Sequence, residues 1–232
     1  MKYKNFKKKK ILIYTDSRGY NVIGKFGKIP FDSYIFQLCF KYNVDYFICP
    51  EKYTTIVDFL NYINEIDTNK YDFIIMHCGV VDFSPRPLTN ISNVKESKKG
   101  NKTFDQLFNL NQEYYDNPFE TEYNNEKTIT LYSTKYLESH IIPHLKKIKN
   151  LIWINSNKFV FGWEGNYTKG RPKNIMQTVN DFDSVMSYHI KNFIDLKSWD
   201  DNTIKDLTID NIHFTKEGFY EIYQLIKKEI EK

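Results

Sequence analysis

The sequence contains no apolar run long enough to cross a membrane. Its apolar runs are short, as at residues 11–14 and 151–154, whereas a membrane-spanning helix needs about 20 apolar residues. The run at 11–14 is also too short for the core of a secretory signal peptide, and Asp16 interrupts it. We therefore expect a cytoplasmic protein without a membrane span.

Cysteine is scarce. The chain has three cysteines, Cys39, Cys49 and Cys78, and all of them lie in apolar stretches. An odd number in such surroundings does not favour a disulfide framework, which is typical of small secreted domains. We expect buried free thiols.

A large excess of positive charge is also missing. The formal net charge is +4, carried partly by the lysines at 7–10, and no basic stripe alternates with aromatic residues. This pattern predicts no nucleic-acid partner. Hydrophobic residues make up 41% and aromatic residues 17% of the 232 residues, which excludes general disorder and predicts one domain over 1–232.

What is present is an alternation of short apolar runs with amphipathic segments. The runs predict strands, because they are rich in β-branched residues and end at charged residues, Gly or Pro. The segments between them have helical spacing, as at Ile56, Phe59, Leu60 and Ile63. The predicted strands are 11–14, 44–49, 71–76, 151–154 and 194–196, and the predicted helices are 31–42, one capped by Thr54 or Thr55, 137–148, 174–193 and one from Thr215. This order predicts a three-layer α/β/α fold with a mostly parallel, flavodoxin-like five-stranded sheet.

Residues 83–130 interrupt the alternation. The stretch is rich in Asn, Tyr, Lys and Glu and has weak periodicity. Long structureless loops are uncommon inside a compact domain unless they serve function. We expect an insertion or lid that shapes the substrate entrance and contributes little to the core.

Polar residues follow three of the predicted strands. Asp16 and Ser17 follow the first strand, Gly79 to Asp82 follow the third, and Asn155 to Asn157 follow the fourth. The carboxyl ends of parallel strands meet at one edge of the sheet, where open α/β folds bind ligands. The sequence therefore predicts a shared site at that edge.

Ser17 requires a base to become a nucleophile. A serine hydroxyl reacts poorly until an imidazole takes its proton, and the imidazole needs an orienting carboxylate. Asp210 and His213 lie just before the last predicted helix, at the same edge of the sheet. The pattern predicts Ser17 as nucleophile, His213 as general base and Asp210 as its orienting partner.

Simpler interpretations exist for each of these residues. A serine after a strand is usually a loop residue or a helix cap, and Asp-x-x-His alone is a weak pattern. His140 and His144 have metal-compatible spacing, but no third ligand accompanies them and Pro143 lies between, so a solvated face is favoured. No phosphate-binding or dinucleotide-binding glycine motif is present. We expect neither a metal nor a cofactor.

Taken together, these blocks resemble the SGNH (GDSL-like) hydrolase family. Thr15-Asp16-Ser17 matches its first block, Gly-Asp-Ser, except that Thr15 replaces the Gly. The third block, Gly-x-Asn-Asp, matches residues 79–82, and the last, Asp-x-x-His, matches 210–213, with Gly218-Phe219 following as the usual Gly-aromatic pair. The resemblance implies a serine esterase that forms an acyl-enzyme.

The sequence departs from the family where an oxyanion would be stabilised. Val81 stands at the Asn of the third block, and residues 51–55 contain no Gly to match that of the second block. Losing one such donor typically costs about a hundredfold or more in rate. We predict a rebuilt oxyanion hole from Ser17 and Gly79 backbone donors and from Asn155.

The resemblance also implies a substrate class. Residues 83–87, Phe-Ser-Pro-Arg-Pro, resemble a variant found in SGNH-like proteins of bacterial surface-polysaccharide gene clusters. An O-acetylated sugar is therefore the expected substrate, with Arg86, Asp82 and Trp163 as binding residues and Tyr114-Tyr115 as a further stacking surface. Two alternatives remain: an acyltransferase with the same triad, and a catalytically silent carbohydrate-binding module. The sequence does not indicate an oligomeric state.

Overall fold

The computed structural model describes residues 8–24, 27–49, 53 and 55–232. Its strands are β1 Lys10–Thr15, β2 Asn43–Ile48, β3 Phe73–His77, β4 Arg86–Pro87, β5 Phe119–Tyr123, β6 Glu126–Ile129, β7 Leu151–Ile154 and β8 Phe193–Ile194. Its helices are α1 Tyr34–Lys41, α2 Ile56–Asn64, α3 Val80–Phe83, α4 Leu88–Ser97, α5 Lys102–Leu110, α6 Gln112–Tyr115, α7 Thr134–Tyr136, α8 Ile142–Leu145, α9 Ile175–His189, α10 Asp201–Leu207 and α11 Lys216–Ile230. A π-helical turn, Leu137–Ile141, joins α7 to α8.

The main sheet has five strands in the order β2-β1-β3-β7-β8, and every neighbouring pair is parallel. Ile11 of β1 pairs with Val44 on one side and with Phe73 on the other. This arrangement confirms the predicted three-layer α/β/α fold and its flavodoxin-like sheet. It also places the ends of β1, β3 and β7 along one edge.

Two apolar cores cover the two faces of the sheet. Leu12 and Tyr14 of β1 belong to one core, and Ile11 and Ile13 belong to the other. Burial of β1 on both faces explains its continuous apolar sequence, which is typical of a central parallel strand. The site at its end is therefore built on a strand with little freedom to move.

The inserted segment, residues 83–130, does not match the prediction for its structure. It forms α4, α5, α6 and a small antiparallel sheet in the order β4-β6-β5. Its buried apolar residues join the core that contains Leu12 and Tyr14; they are Phe83, Ile91, Val94, Phe104, Leu107, Phe108 and Ile129. The expectation that this segment contributes little to the core was wrong. Its composition is polar overall, but α4 and α5 each have an apolar face that is buried.

A buried polar contact also attaches the inserted segment to the main domain. Lys98 Nζ lies 2.7 Å from Asp58 Oδ1, and both side chains are largely buried. Asp58 also belongs to the capping box that begins α2 with Thr55. The ion pair thus joins the end of α4 to the first turn of α2.

One cysteine also differs from the expectation. Cys49 and Cys78 are buried, whereas Cys39 is exposed on α1, and all three are free. Cys39 lies beside the exposed Phe40, on the solvent side of a helix whose other side is covered. No helix in the described ranges has the length and apolar character needed to cross a membrane.

The packing of α5 predicts that the inserted segment stabilises the fold. Phe104 is fully buried, whereas Leu110 on the same helix is 56% exposed. Phe104→Ala should lower the free energy of unfolding by about 3–5 kcal/mol, and Leu110→Ala should change it little. Urea unfolding of both variants measures this difference, and equal, small effects would contradict the packing described.

Candidate active site

Ser17 lies in the first turn after β1. Asp16 caps the short 3₁₀ helix Ser17–Gly19, because its Oδ1 accepts the Arg18 N–H at 2.9 Å. The Asp16 N–H bonds the carbonyl of His77 at 3.2 Å, which extends the β1–β3 pairing by one residue. Ser17 is thus held at the carboxyl edge of the sheet, as predicted from its position after the first strand.

A buried ion pair fixes this turn further. The Arg18 guanidinium donates to both oxygens of Asp16, and each side chain is only 2% exposed. Such bidentate contacts restrict both partners. The two residues on either side of Ser17, Asp16 and Arg18, therefore fix the backbone of the turn, and both side chains are buried.

Ser17, His213 and Asp210 form a continuous chain of hydrogen bonds. Ser17 Oγ lies 2.9 Å from His213 Nε2, and His213 Nδ1 lies 2.8 Å from Asp210 Oδ2. With the proton on Nδ1, the imidazole donates to the carboxylate and accepts from the hydroxyl. This is the geometry that a serine nucleophile requires.

Asp210 is prepared to remain ionised. Its Oδ1 accepts the backbone N–H of His213 at 2.7 Å and that of Ile212 at 3.1 Å. Burial opposes ionisation, but the hydrogen bonds from His213 and Ile212 lower the pKa of Asp210 below its usual value. The carboxylate can therefore orient His213 and stabilise its protonated form.

Residues 208–213, here called the triad loop, are held by residues 155–171, here called the clamp loop. Asn211 has a φ of 67°, a conformation that Asn tolerates better than most residues. Its Oδ1 accepts the Val160 N–H at 2.8 Å, and its Nδ2 donates to the Trp163 carbonyl at 2.5 Å. Asn157 Nδ2 in turn donates to the Asn211 carbonyl at 2.9 Å.

Gly165 allows the two loops to touch. Its φ is +53°, and a Cβ there would lie 2.1 Å from the Ile209 carbonyl oxygen. The next residue, Asn166, donates its N–H to that carbonyl at 2.8 Å. A side chain at 165 would push the clamp loop away from the triad loop.

Arg171 contacts the triad directly and was missed by the sequence analysis. Its Nη2 donates to the Asp210 carbonyl at 2.5 Å and lies 3.6 Å from Asp210 Oδ2. The guanidinium stacks on Tyr167 at 4.2 Å, pairs with Glu164, and is only 7% exposed as a side chain. Its loop position has no periodicity, so no sequence signal connected it with Asp210.

The predicted oxyanion donors behave differently from one another. In the described ranges, neither the Ser17 N–H nor the Gly79 N–H has an intramolecular acceptor. Gly79 has a φ of +123°, which favours Gly, and it follows β3 at the edge where Ser17 lies. Both N–H groups therefore remain the predicted oxyanion donors. The resembling family takes a further donor from the Gly of its second block, which corresponds to residues 51–55 of this chain. Residues 51, 52 and 54 lie outside the described residues.

Asn155 does not fit that role. Its Nδ2 donates to Asp195 Oδ1 at 2.7 Å, and its Oδ1 accepts the Leu196 N–H at 2.7 Å. The side chain thus joins the ends of β7 and β8, where it is 2% exposed. This structural use argues against Asn155 as an oxyanion donor.

Asp82 is also structural, contrary to its predicted role in substrate binding. It is fully buried and accepts hydrogen bonds from the Tyr132 hydroxyl and the Ile56 N–H. Burial raises its pKa to about 7. Asp82 therefore fixes the start of α2, and a substrate cannot reach it.

The remaining predicted binding residues lie in different surroundings. Arg86 is partly exposed beside Tyr53, whereas Trp163 is half-buried against the core and bonds the triad loop through its carbonyl. The Tyr114 hydroxyl forms a hydrogen bond with the Thr130 hydroxyl, and the Tyr115 hydroxyl donates to the Leu131 carbonyl. Both rings pack on the core. Their hydroxyls are used within the fold, which argues against a stacking surface there.

No cluster of three metal-ligating side chains occurs within the described residues. His140 stacks on Tyr136 with ring centroids 4.4 Å apart and contacts Ser139. This placement agrees with the interpretation of His140 and His144 as parts of a surface helix face.

Several solved structures share this fold. A lipase/acylhydrolase from Enterococcus faecalis matches with a TM-score of 0.56 and 17% identity, covering 96% of this chain and 95% of its own. Phospholipase A1 from Streptomyces albidoflavus gives 0.55 and 11%, covering 96% and 99%. A GDSL-like lipase from Bacteroides thetaiotaomicron gives 0.51 and 13%, covering 96% and 88%. The chain has the fold of the GDSL lipases.

No family model matches the sequence, and no curated protein matches it. At these identities the structural likeness establishes the fold alone. The chemistry must be argued from the residues at the site.

The contact of Arg171 with Asp210 predicts a change in pH dependence. Without the cation, the Asp210 carboxylate should hold a protonated His213 more strongly. Arg171→Met should therefore lower kcat/KM for an ester by about tenfold and move the acid limb of its pH profile upward.

Glu164→Gln is the matched control, because it removes the other partner of Arg171 and leaves the Asp210 contact in place. It should keep a profile close to that of the unaltered protein. An Arg171→Met profile that falls uniformly at every pH would indicate a purely structural role.

Proposed function

We propose that this protein is a serine hydrolase that cleaves carboxylic esters through an acyl-enzyme. The observation that carries the proposal is the hydrogen-bond chain from Ser17 Oγ through His213 to Asp210, with distances of 2.9 and 2.8 Å. The shared fold with lipases and acylhydrolases supports it.

The proposed reaction has two halves. Ser17 Oγ attacks the ester carbonyl carbon while His213 Nε2 takes the hydroxyl proton, and a tetrahedral intermediate forms. His213 then gives that proton to the leaving alcohol, and the acyl group remains on Ser17. A water molecule attacks the acyl-enzyme with His213 again as base, and the carboxylic acid leaves as Ser17 regains its proton.

The negative charge of each intermediate needs hydrogen-bond donors. The Ser17 and Gly79 N–H groups are the donors that we assign, because both lack an acceptor among the described residues. Val81 adds no side-chain donor at the position where the resembling family has Asn. Two backbone donors suffice for an oxyanion hole in other serine hydrolases.

We propose an O-acyl, in particular O-acetyl, group on a carbohydrate as the substrate. The support is the resemblance of residues 83–87 to a polysaccharide-cluster variant and the half-buried Trp163 in the clamp loop. An acyltransferase would use the same acyl-enzyme with a sugar hydroxyl in place of water. A silent carbohydrate-binding module would keep the fold without turnover.

Small acetyl esters such as 4-nitrophenyl acetate test the proposed roles of the triad. Ser17→Ala and His213→Gln should each lower kcat by at least about a thousandfold, because nucleophile and base act as a unit. His189→Gln is the control, since the partners recorded for the His189 ring nitrogens in the described ranges are Glu138, at 2.9 Å from Nε2, and Lys146, not Ser17. Turnover in Ser17→Ala equal to that of the control would refute the proposal.

The altered third block provides a separate test. Val81→Asn supplies a donor where the resembling family has one, so ester turnover should stay equal or rise. Val81→Ala is the control without a donor. A rise in turnover in both variants would show that side-chain size, and not the added donor, causes the effect. Absence of turnover in the unaltered protein and in both variants would favour the silent module.

A further inference from the structure

Arg86 is a cation in an enclosed position. It lies on β4, where the small sheet meets the carboxyl edge of the main sheet, and its side chain is only partly open to solvent. Its Nε donates to the Val81 carbonyl at 3.3 Å, and its guanidinium stacks 5.2 Å from the centre of the Tyr53 ring. Enclosure lowers the pKa of Arg86 from its usual value.

Among the residues that the structure describes, no anion contacts this charge. Within the described residues, Arg86 forms no ion pair, and its two terminal nitrogens have no hydrogen-bond acceptor. The carboxylate of Asp82 influences it from farther away, but the oxygens of Asp82 are occupied by Tyr132 and Ile56. In the described ranges, the other groups recorded near Arg86 are the phenols of Tyr53 and Tyr167 and the Val81 carbonyl.

Residues from three segments lie near the guanidinium, namely Val81 of α3, Tyr53, and Tyr167 of the clamp loop. Val81 follows Gly79 after β3, and Tyr53 follows β2, so both lie at the edge where β1 delivers Ser17. Tyr167 of the clamp loop is also among the groups that influence Arg86, and Tyr167 stacks on the Arg171 that contacts Asp210. Arg86 therefore lies at the same carboxyl edge of the sheet as Ser17, on the side of the inserted segment.

The small sheet holds Arg86 in this place. β4 pairs with β6, so that Arg86 lies opposite Ile129, which is fully buried. The Tyr123 hydroxyl of β5 donates to the clamp-loop carbonyls of Lys169 and Gly170 at 3.2 and 3.0 Å. Pairing with β6 thus holds the backbone of Arg86, and β5 joins the small sheet to the clamp loop.

We propose that the terminal nitrogens of Arg86 bind an anionic group, a carboxylate or a phosphate, carried by the ester substrate near the bond that Ser17 cleaves. A planar guanidinium matches the two oxygens of such a group, and an enclosed charge without a partner is costly until an anion arrives. A hydroxyl group would accept a hydrogen bond without balancing the charge. This inference rests on the proposed esterase function for the identity of the ligand as a substrate.

Equilibrium binding tests the anion site without requiring turnover. Calorimetry would compare benzoate, phenyl phosphate and the neutral benzamide on the intact protein. The expected result is that one or both anions bind about ten- to a hundredfold more tightly than benzamide, and that Arg86→Met removes this preference. The relative affinities of benzoate and phenyl phosphate identify the preferred anion.

Lys127→Met is the matched control, because it removes a positive charge from the same small sheet at an exposed ion pair. It should retain the preference. If Arg86→Met does not fold, Arg86→Lys replaces it in the test. Lysine keeps the positive charge but lacks the planar guanidinium, so the affinity for anions should fall while anions still bind more tightly than benzamide. Equal binding of anions and benzamide by the unaltered protein overturns the proposal.

Turnover separates this inference from the proposed function. 4-Acetoxybenzoate and 4-acetoxybenzamide carry the same acetyl ester and differ in charge. Arg86→Met should lower kcat/KM for the anionic ester about tenfold or more, while its value for the amide changes little. Anion binding without turnover of either ester would refute the proposed esterase function but not the anion site at Arg86. Turnover of both esters without any preference for the charged one would refute the anion site alone.

Discussion

The whole candidate site depends on two hydrogen bonds, one of which joins opposite ends of the chain. One connects Ser17 to His213 and the other connects His213 to Asp210. Bonds of this length hold only if the backbone at both ends is fixed, since displacements of about 1 Å cost large factors in rate. β1, buried on both faces, fixes Ser17, and the clamp loop fixes the triad loop through Asn211.

The sequence was sufficient for the strands because their signals are local, and it placed Ser17 and the Asp210-His213 pair at one edge of the sheet because each lies next to a recognisable strand or helix. β1 is a continuous apolar run, as a strand buried on both faces requires, and Asp210 and His213 lie within one turn. Arg171 was not predictable in the same way. It contacts Asp210 from 39 residues away along the chain, in a loop without periodicity, so only the folded structure brings the two together.

Polar residues near the site show the limit of inference from position alone. Asp82 and Asn155 both follow strands at the correct edge, yet each is buried and hydrogen-bonded within the fold. Residue order gives the edge of the sheet but does not give the direction of a side chain in the turn that follows. The inserted segment was misjudged for a related reason, since Phe104, Leu107 and Phe108 form the buried face of a helix whose other residues are mostly polar.

Covalent labelling of Ser17 is the most direct test of the account. A fluorophosphonate reacts with a serine only when a neighbouring base activates the hydroxyl, so the adduct reports the whole hydrogen-bond chain. Mass spectrometry of the digested, labelled protein should find one modified serine, Ser17, and prior heat denaturation should abolish the reaction. An adduct on another serine, or no adduct on the folded protein, would contradict the central claim.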